Sequence, residues 1–317
     1  MTGPVITSHL EDDFNDALEQ RLGRKIQRLP WGSVDIPDNT EILLASPIGK
    51  GPHRHTLERP ANWPQHIKWI QLVSSGTDIF PPWFLQSARV STARGVAAHS
   101  IADYCLAAIL SVSKDLPNLW VNSPLQWQSR RTATVYGSTV GLVGLGAIGE
   151  ALAQKALALG AQVVAVRQSK NPSPVAGVRL VGSIAELMAV SDHVVLVAPA
   201  TSSTYKIIDA KAWAHAKPGL HLINVARGEL VDDDALLAAL ASGQAGFATL
   251  DTTAPEPLPE GHPFYNHAHI QLSSHTSALS WLTRKSLLEK FVANLARYQG
   301  GQTLIDELAV AKDSSAA

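Results

Sequence analysis

Three glycines at fixed spacing are the first residues whose types suggest a chemistry. Directly after the apolar stretch Thr139–Val143 comes the run Gly144-Leu145-Gly146-Ala147-Ile148-Gly149, which leads into a helical pattern. Gly144 permits a tight turn, Gly146 lets the backbone approach a pyrophosphate, and Gly149 lets helix and strand pack closely. The helix N-terminus offers free N–H groups and a positive dipole end to phosphates. Since a second strand follows about 20 residues on, the pattern predicts a dinucleotide-binding site.

The end of that second strand carries a basic residue at the position that selects the nucleotide. Arg167 directly follows the predicted strand Gln162–Val166. Proteins that bind NAD place an Asp or Glu there, whose carboxylate holds the ribose 2′-hydroxyl. An arginine cannot accept those hydrogen bonds, but its guanidinium can pair with a 2′-phosphate and stack on adenine. We therefore expect NADP as the preferred cofactor and NAD as the alternative. Further contacts are expected from Gln168, Ser169 and Lys170.

Three polar residues follow three successive predicted strands. They are Arg227 after Leu220–Asn224, Glu256 after residues 247–250, and His275 after Ile270–Leu272. Taken singly, each has an ordinary explanation: a surface arginine, a solvated loop acid and a capping histidine. Open α/β sheets, however, bind ligands outside the carboxyl ends of their strands. Together the three residues therefore predict one site at one edge of a sheet.

The elements around these residues alternate regularly between apolar strands and helices. Beyond the strands already named, strands are predicted at Thr139–Val143 and residues 194–197. Helices are predicted at residues 147–159, Ile184–Val190, residues 211–215 and residues 233–241. Nearly continuous apolar strands joined by helices imply a parallel sheet that is covered on both faces.

The first hundred residues show the same alternation with longer loops. Strands are predicted at residues 5–7, Ile42–Ala45, residues 69–73 and residues 89–92, with a helix at residues 11–22. The last predicted helix, residues 282–298, is expected to return to this N-terminal region. We therefore predict an α/β fold of two domains. A Rossmann-type dinucleotide-binding domain, residues 98–282, is inserted into a smaller flavodoxin-like α/β substrate-binding domain, residues 1–97 and 283–317.

Composition and charge argue against several classes of protein. Hydrophobic residues make up 45% and charged residues 17%, which favours a large core over disorder. The formal net charge of −1 argues against a nucleic-acid-binding face. Cys105 is the single cysteine and the twelve histidines show no paired ligand spacing, so neither a disulfide nor a metal site is predicted. No leader peptide or membrane span is evident, and we expect a cytoplasmic location.

Longer motifs surround the glycines and the three polar residues. They comprise residues 139–149, 192–201 and 217–232, and the segments around Glu256 and His275. In this combination the chain resembles the D-isomer-specific 2-hydroxyacid dehydrogenase family, whose members include glyoxylate/hydroxypyruvate reductases and phosphoglycerate dehydrogenases. The resemblance covers about residues 70–300. It implies the reduction of a 2-oxo acid to a D-2-hydroxy acid with a nicotinamide cofactor.

The resemblance also assigns catalytic roles. His275 matches the family's general acid, which protonates the oxygen of the 2-oxo group during reduction. Glu256 matches the carboxylate that orients the imidazole and favours its protonated form. Arg227 matches the arginine that binds the substrate carboxylate and polarises the carbonyl group.

Further contacts follow from the same resemblance. The cofactor would contact Gly144, Gly146, Ala147, Ile148, Gly149, Pro199, Thr204, Val225, Ala226 and Asp251. Asp251 matches a residue that bonds the nicotinamide carboxamide. Backbone N–H groups near Ser75 and Gly76 would hold the substrate carboxylate from the other domain. Trp281 is expected to line the substrate pocket, and buried packing is the alternative.

Some positions depart from the family pattern and leave alternatives open. Ser274 stands where a proline usually precedes the catalytic histidine, and Thr253 stands where a bulky apolar residue is common. Glyoxylate or hydroxypyruvate is the expected substrate, with bulkier 2-oxo acids such as phenylpyruvate as one alternative. The other alternative concerns the function as a whole: the chain would be a non-enzymatic, dinucleotide-sensing protein like the corepressors of this fold.

We also predict a homodimer. Family members commonly dimerise through the region that matches the apolar helix after His99 and the connection from Trp120 to Trp127. The alternative is that both segments pack on the dinucleotide-binding domain.

Overall fold

The computed structural model describes residues 3–49 and 54–309 of the chain. The chain divides into two compact units. One, which we call the split unit, comprises Met1–Ala97 and Ser280–Ala317; the other, the central unit, comprises Ala98–Leu279.

The strands of the described residues are, in chain order, β1 (Ile6–Ser8), β2 (Gln27–Arg28), β3 (Ile42–Ala45), β4 (Trp69–Leu72), β5 (Arg89–Ser91), β6 (Thr139–Val143), β7 (Gln162–Val166), β8 (Val178–Leu180), β9 (His193–Leu196), β10 (Leu220–Asn224), β11 (Ala245–Leu250) and β12 (Ile270–Leu272). The α-helices of the same residues are α1 (Asp12–Leu22), α2 (Pro82–Gln86), α3 (Ala98–Lys114), α4 (Leu116–Leu119), α5 (Ala147–Ala158), α6 (Ile184–Val190), α7 (Ala210–Ala214), α8 (Asp233–Ser242) and α9 (Trp281–Gln299).

The split unit is built on a five-stranded sheet. Its strand order is β2-β1-β3-β4-β5, and all neighbouring strands are parallel. Every residue of β3 and β4 is buried. This burial explains why β3 is entirely apolar and β4 is apolar except for Gln71, because strands inside a parallel sheet are covered on both faces.

Helix α9, which is distant in sequence, completes the core of the split unit. Leu287, Phe291 and Leu295 recur every four residues, so they share one helix face, and all three are buried. The Phe291 ring stacks on Trp69 of β4, with ring centroids 5.1 Å apart. After the helix, Glu307 forms an ion pair with Arg89 of β5 at 2.8 Å. The last described residues of the chain therefore pack on the sheet that the first hundred residues form.

The central unit is built on a seven-stranded parallel sheet. Its strand order is β12-β11-β10-β9-β6-β7-β8. The chain winds outward from β6 through β7 and β8 and then outward on the other side from β9, so the direction of winding reverses between β6 and β9. Such a reversal opens a crevice at the carboxyl ends of the strands, where α/β sheets bind ligands. The predicted α/β fold with parallel sheets is confirmed.

Differences from the predicted elements have local causes. Four short elements of the described residues, β2, β8, α2 and α4, were not predicted, because two to five residues show no periodic pattern. Strand β11 begins at Ala245 rather than at residue 247. Gly246 allows this extension, since a Cβ atom there would lie 2.6 Å from the carbonyl oxygen of Gly219.

Two histidines pair inside the central sheet. His193 and His221 are neighbours in register, with their Nδ1 atoms 3.1 Å apart, and His221 Nε2 lies 3.0 Å from Thr249 Oγ1. Burial lowers the pKa of His193 to about 4 and the pKa of His221 well below 6.5. Both are therefore neutral at pH 7, and one Nδ1–H donates to the other Nδ1.

The described residues contain no group of three or more His, Cys, Asp or Glu side chains that could hold a metal ion. Among the helices of the same residues, none combines the length and apolar character that crossing a bilayer requires.

Candidate active site

The predicted phosphate-binding glycines form the turn between β6 and α5. Gly144 has φ +103°, and a Cβ atom there would lie 3.0 Å from the backbone nitrogen of Ala198, so only glycine fits. A Cβ atom on Gly149 would lie 2.8 Å from the carbonyl oxygen of Gly144. Gly146 is the N-cap of α5, and a Cβ atom there would meet no atom within 4 Å. The first and third glycines therefore allow close packing, and the second leaves the helix N-terminus accessible.

The predicted nucleotide-selecting residues lie directly after β7. Arg167 is half-buried, whereas the three residues after it are exposed: Gln168, Ser169 and Lys170. The Gln168 amide donates to Ser203 Oγ at 3.5 Å, which connects the loop after β7 with the loop after β9. A guanidinium therefore stands at the end of β7 where a carboxylate would be needed to bind a ribose 2′-hydroxyl.

The remaining predicted cofactor residues lie after β9 and β10. In the loop after β9, Thr204 Oγ1 donates to the carbonyl oxygen of Pro199 at 2.7 Å. Val225 and Ala226 follow β10 and are buried. The hydroxyl group of Thr204 thus stabilises its own loop, and the two apolar residues line the end of their strand.

Arg227 is held by a buried amide at the end of β10. Asn224, which has no exposed surface, donates from Nδ2 to the carbonyl oxygen of Arg227 at 2.7 Å and accepts from Ala226 N at 3.0 Å. Next to it, Gly228 packs on the backbone of the loop that carries Glu256, since a Cβ atom on Gly228 would lie 2.0 Å from Thr253 C. Gly228 therefore allows the loops after β10 and β11 to touch.

His275 and Glu256 form a hydrogen-bonded pair. His275 Nδ1 lies 3.0 Å from Glu256 Oε2, and both side chains are less than half exposed, at 44% and 41%. The hydrogen bond from Thr253 N to Glu256 Oε1, at 3.2 Å, orients the second carboxylate oxygen. Because Nδ1 is bonded to a carboxylate, Nε2 is the ring nitrogen that is available to a ligand.

The electrostatics of the pair favour an imidazolium beside a carboxylate. The hydrogen bond to Glu256 raises the pKa of His275 above 6.5, although burial and the charge of Arg227 act in the opposite direction. Burial by itself raises the pKa of Glu256, but the hydrogen bond from His275 and the charges of His275 and Arg227 bring it below 4.5. Arg227 therefore lies close enough for its charge to act on both groups.

Asp251, at the end of β11, holds the turn that carries His275. His275 has φ +52°, a left-handed conformation that costs energy for any residue except glycine. Its N–H donates to the carbonyl oxygen of Asp251 at 2.9 Å, and the buried carboxylate accepts from Thr276 N at 2.9 Å and Ser277 N at 3.0 Å. Burial by itself raises the pKa of Asp251, but these bonds and that from Ser273 lower it, so Asp251 is ionised.

A family model described as the NAD binding domain of D-isomer specific 2-hydroxyacid dehydrogenases matches residues 106–277, more than half of the chain. The chain belongs to this family. The match covers the glycine turn and the strand ends that carry Arg227, Glu256 and His275.

Individual dehydrogenases and reductases of this family are similar to the chain. A D-3-phosphoglycerate dehydrogenase of Mycobacterium bovis is 35% identical over 301 residues, which cover 88% of this chain and 53% of that protein. A glyoxylate/hydroxypyruvate reductase A of Serratia proteamaculans is 35% identical over 168 residues, 52% of each chain. The matched regions therefore span about half the length of each relative.

A solved structure confirms the likeness in three dimensions. The structure of a D-isomer specific 2-hydroxyacid dehydrogenase family protein from Aeromonas salmonicida subsp. salmonicida A449 is 26% identical. It matches with a TM-score of 0.82 and covers 98% of this chain and 100% of that chain. The two-domain dehydrogenase architecture with a Rossmann fold thereby follows for this family member.

The predicted substrate residues Ser75, Gly76 and Trp281 belong to the split unit. Ser75 is exposed, and Ser74 Oγ donates to the carbonyl oxygen of Gly76 at 2.8 Å, which holds the turn after β4. Trp281 begins α9 and is 75% exposed, so the alternative of buried packing for this residue is wrong.

Sequence reasoning missed residues that support the site from behind. Asn224 and Gly228 lie on either side of Arg227 in the sequence. Ser273 contacts the carboxylate of Asp251 directly, and Tyr104 contacts it through Ser273. Asn224 and Ser273 were detectable as polar residues at the ends of apolar strands. Tyr104 lies in an apolar helix and carries no comparable signal.

We expect Gly228→Ala to damage the site. Its Cβ atom would overlap the backbone of Thr253, which must move, and the stability should fall by about 1–3 kcal/mol, the usual cost of overpacking. A displacement of about 1 Å between Arg227 and Glu256 should lower kcat/KM roughly 100-fold. Calorimetry and steady-state kinetics measure both effects.

The matched control for this substitution is Gly182→Ala. The nearest atom to a Cβ there, the Oε2 of Glu186, lies 3.7 Å away in ordinary contact. Equal activity of both variants and the parent chain would contradict the role given to Gly228.

Proposed function

We propose that the chain reduces a small 2-oxo acid, glyoxylate or hydroxypyruvate, to the corresponding hydroxy acid, D-configured where C2 becomes stereogenic, with His275 as the general acid. The observation that carries the proposal is the hydrogen bond between His275 Nδ1 and Glu256 Oε2, within reach of the charge of Arg227. An imidazolium and a guanidinium together suit a substrate with a carboxylate next to a carbonyl group. Membership in the D-2-hydroxyacid dehydrogenase family supports the reaction class.

The roles of the three side chains follow from their charges. Arg227 binds the substrate carboxylate through charge-assisted hydrogen bonds. His275 then donates the proton on Nε2 to the carbonyl oxygen as negative charge develops there. Glu256 remains ionised, keeps the proton on Nδ1 and stabilises the imidazolium until the transfer. In the reverse direction neutral His275 accepts the proton of the hydroxy acid.

The residues around the glycine turn fit a nicotinamide dinucleotide, which supplies the hydride when bound. The N-terminus of α5 and the open face of Gly146 suit a pyrophosphate. We propose that Arg167 pairs with a 2′-phosphate, which favours NADPH over NADH. Asp251 would bond the nicotinamide carboxamide of the cofactor, since it is buried at the carboxyl end of β11.

The exposed indole of Trp281 supports a second candidate substrate class. An aromatic ring that is 75% exposed in the split unit offers a contact to aromatic 2-oxo acids such as phenylpyruvate. The similarity to a glyoxylate/hydroxypyruvate reductase favours the smaller substrates. Initial rates with glyoxylate, hydroxypyruvate, pyruvate and phenylpyruvate distinguish the two. Tight dinucleotide binding without turnover of any of them would instead favour a dinucleotide-sensing protein.

The pH dependence of reduction tests the acid. Reduction requires protonated His275, so kcat/KM should fall as the pH rises through the pKa of His275, which lies above 6.5 because of Glu256. Glu256→Gln removes the charge that raises this pKa, and the falling limb of the profile should move to lower pH. His275→Ala should lower kcat/KM by about 100-fold or more.

Glu260→Gln, an exposed neighbour in the same loop, serves as the control and should keep the profile of the parent chain. If the Glu256→Gln profile coincides with that of the parent chain, another group is the acid.

Cofactor choice tests Arg167. Replacement by alanine removes a charge-assisted contact to the 2′-phosphate, which is worth about 1.5–3 kcal/mol. The KM for NADPH should therefore rise roughly 10- to 100-fold, while the KM for NADH changes little. Arg179→Ala removes an exposed arginine elsewhere in the central unit and is the control. A parent chain that prefers NADH would overturn the role of Arg167 and leave the reductase proposal standing.

We further propose that a second copy of the chain covers the segment after α4. Trp120, Leu125 and Trp127 are 76%, 88% and 81% exposed, so the alternative that this connection packs on the central unit is wrong for these side chains. Large apolar side chains at this exposure are typical of interfaces. Sedimentation should give twice the chain mass of 33.9 kDa, and the double substitution of both tryptophans by serine should give the monomer. A monomeric parent chain at micromolar concentration would remove the proposal.

A further inference from the structure

We infer that Tyr104, on helix α3, is a positioning residue for His275 and acts through Ser273 and Asp251. The inference rests on the proposed function of His275. In the described contacts, Tyr104 touches neither the His275 imidazole nor Glu256. The role of Tyr104 follows from a chain of short hydrogen bonds within the central unit.

The first link is the contact between helix and strand. Tyr104 Oη lies 2.6 Å from Ser273 Oγ, and Ser273 Oγ lies 2.5 Å from Asp251 Oδ1. The donors follow from proton counting. Ionised Asp251 can only accept, so the single hydroxyl proton of Ser273 points to it. Tyr104 must then donate to Ser273, which gives a directed chain from Tyr104 to Asp251.

The protonation states support this direction. Burial raises the pKa of Tyr104, with a further contribution from the negative charge of Asp251, so the phenol keeps its proton at neutral pH. The pKa of Asp251 is lowered by its hydrogen bonds, so the carboxylate keeps its charge. Chains of hydrogen bonds that end on an ionised group polarise one another and strengthen each link.

The second link is the turn. The Oδ1 atom that accepts from Ser273 also accepts from Thr276 N, and Oδ2 accepts from Ser277 N. Asp251 therefore cannot rotate without losing a bond to the turn on which His275 sits at φ +52°. The hydrogen bond from Ser273, which itself accepts from Tyr104, restricts this rotation further.

Tyr104 brings a separate element into this arrangement. Asp251 ends β11, Ser273 follows β12, and Tyr104 lies in the middle of α3, which packs by its buried residues Ile101, Cys105 and Ala108. The helix thereby holds the ends of two adjacent strands in one position. Three charged groups act on His275, namely Glu256, Arg227 and Asp251. Of these, Asp251 is linked to the helix through Ser273 and Tyr104.

The test removes single hydroxyl groups. Tyr104→Phe and Ser273→Ala should each lower kcat about 10-fold, less than the roughly 100-fold cost of a full ångström of misplacement. If the two hydroxyls act as one chain, the double variant should be no worse than the more impaired single variant. Tyr136→Phe, at a tyrosine of the central unit that is 76% exposed, is the matched control.

A second readout does not depend on turnover. The His275 imidazole is titrated by NMR without substrate and assigned with His275→Asn. In Tyr104→Phe the pKa of His275 should move down toward 6.5, because a looser turn weakens the hydrogen bond to Glu256. A purely structural tyrosine would lower the melting temperature and leave this titration in place.

The outcomes separate the two proposals. An unchanged His275 titration and an unchanged kcat in Tyr104→Phe overturn the inference, even if the parent chain is an active reductase. Independent losses that add in the double variant also overturn it. If the parent chain turns over no 2-oxo acid but the titration shifts in Tyr104→Phe, the proposed function fails and the positioning of His275 stands.

Discussion

The hydrogen bonds accepted by Asp251 hold a histidine in a backbone conformation that it would not adopt by itself. His275 lies neither on a strand nor on a helix. Its φ of +52° is stabilised by three hydrogen bonds, in which its own N–H and the next two N–H groups donate to Asp251. The sheet supplies the fixed point, since Asp251 closes β11 and β12 runs beside it. His275 is thereby held in place as firmly as a residue within a strand, although it lies in a loop. The short contact between His275 and Glu256 requires this fixed position.

Parallel strands explain how residues so distant in sequence meet. All strands of the central sheet point the same way, so the loops after β10, β11 and β12, which carry Arg227, Glu256 and His275, emerge at one edge. Close approach then depends on the absence of a side chain at Gly228, whose backbone touches the loop of Glu256. The charges are balanced within this edge: Glu256 raises the pKa of His275, and Arg227 limits the rise. An acid whose pKa is raised from 6.5 in this way is more fully protonated near neutral pH, as the reduction requires.

Much of this arrangement was predictable because it depends on local patterns and on strand direction. Alternating apolar strands and helices predict the α/β fold, and a polar residue after each of three strands predicts their common edge. The contacts behind the edge depend on pairing between distant residues, for which a single sequence holds no periodic signal. Tyr104 looks like one more residue of an apolar helix, and His193 and His221 look like two unrelated histidines until β9 and β10 lie side by side. Trp281 shows the same limit, since its type alone did not reveal whether it was buried or exposed.

The interleaving of the two units bears on how the chain is made. The core of the split unit requires Phe291 of α9 to cover Trp69 of β4, yet the whole central unit is synthesised between them. At a synthesis rate of about 5–20 residues per second, roughly 10–40 s pass between the synthesis of β4 and that of the helix that covers it. This interval is long enough for the central unit to fold first. During that interval the residues of α9 that cover the apolar sheet face of the split unit, Leu287, Phe291 and Leu295, have not yet been synthesised. The sheet of the central unit can therefore form on the ribosome before the split unit has its core.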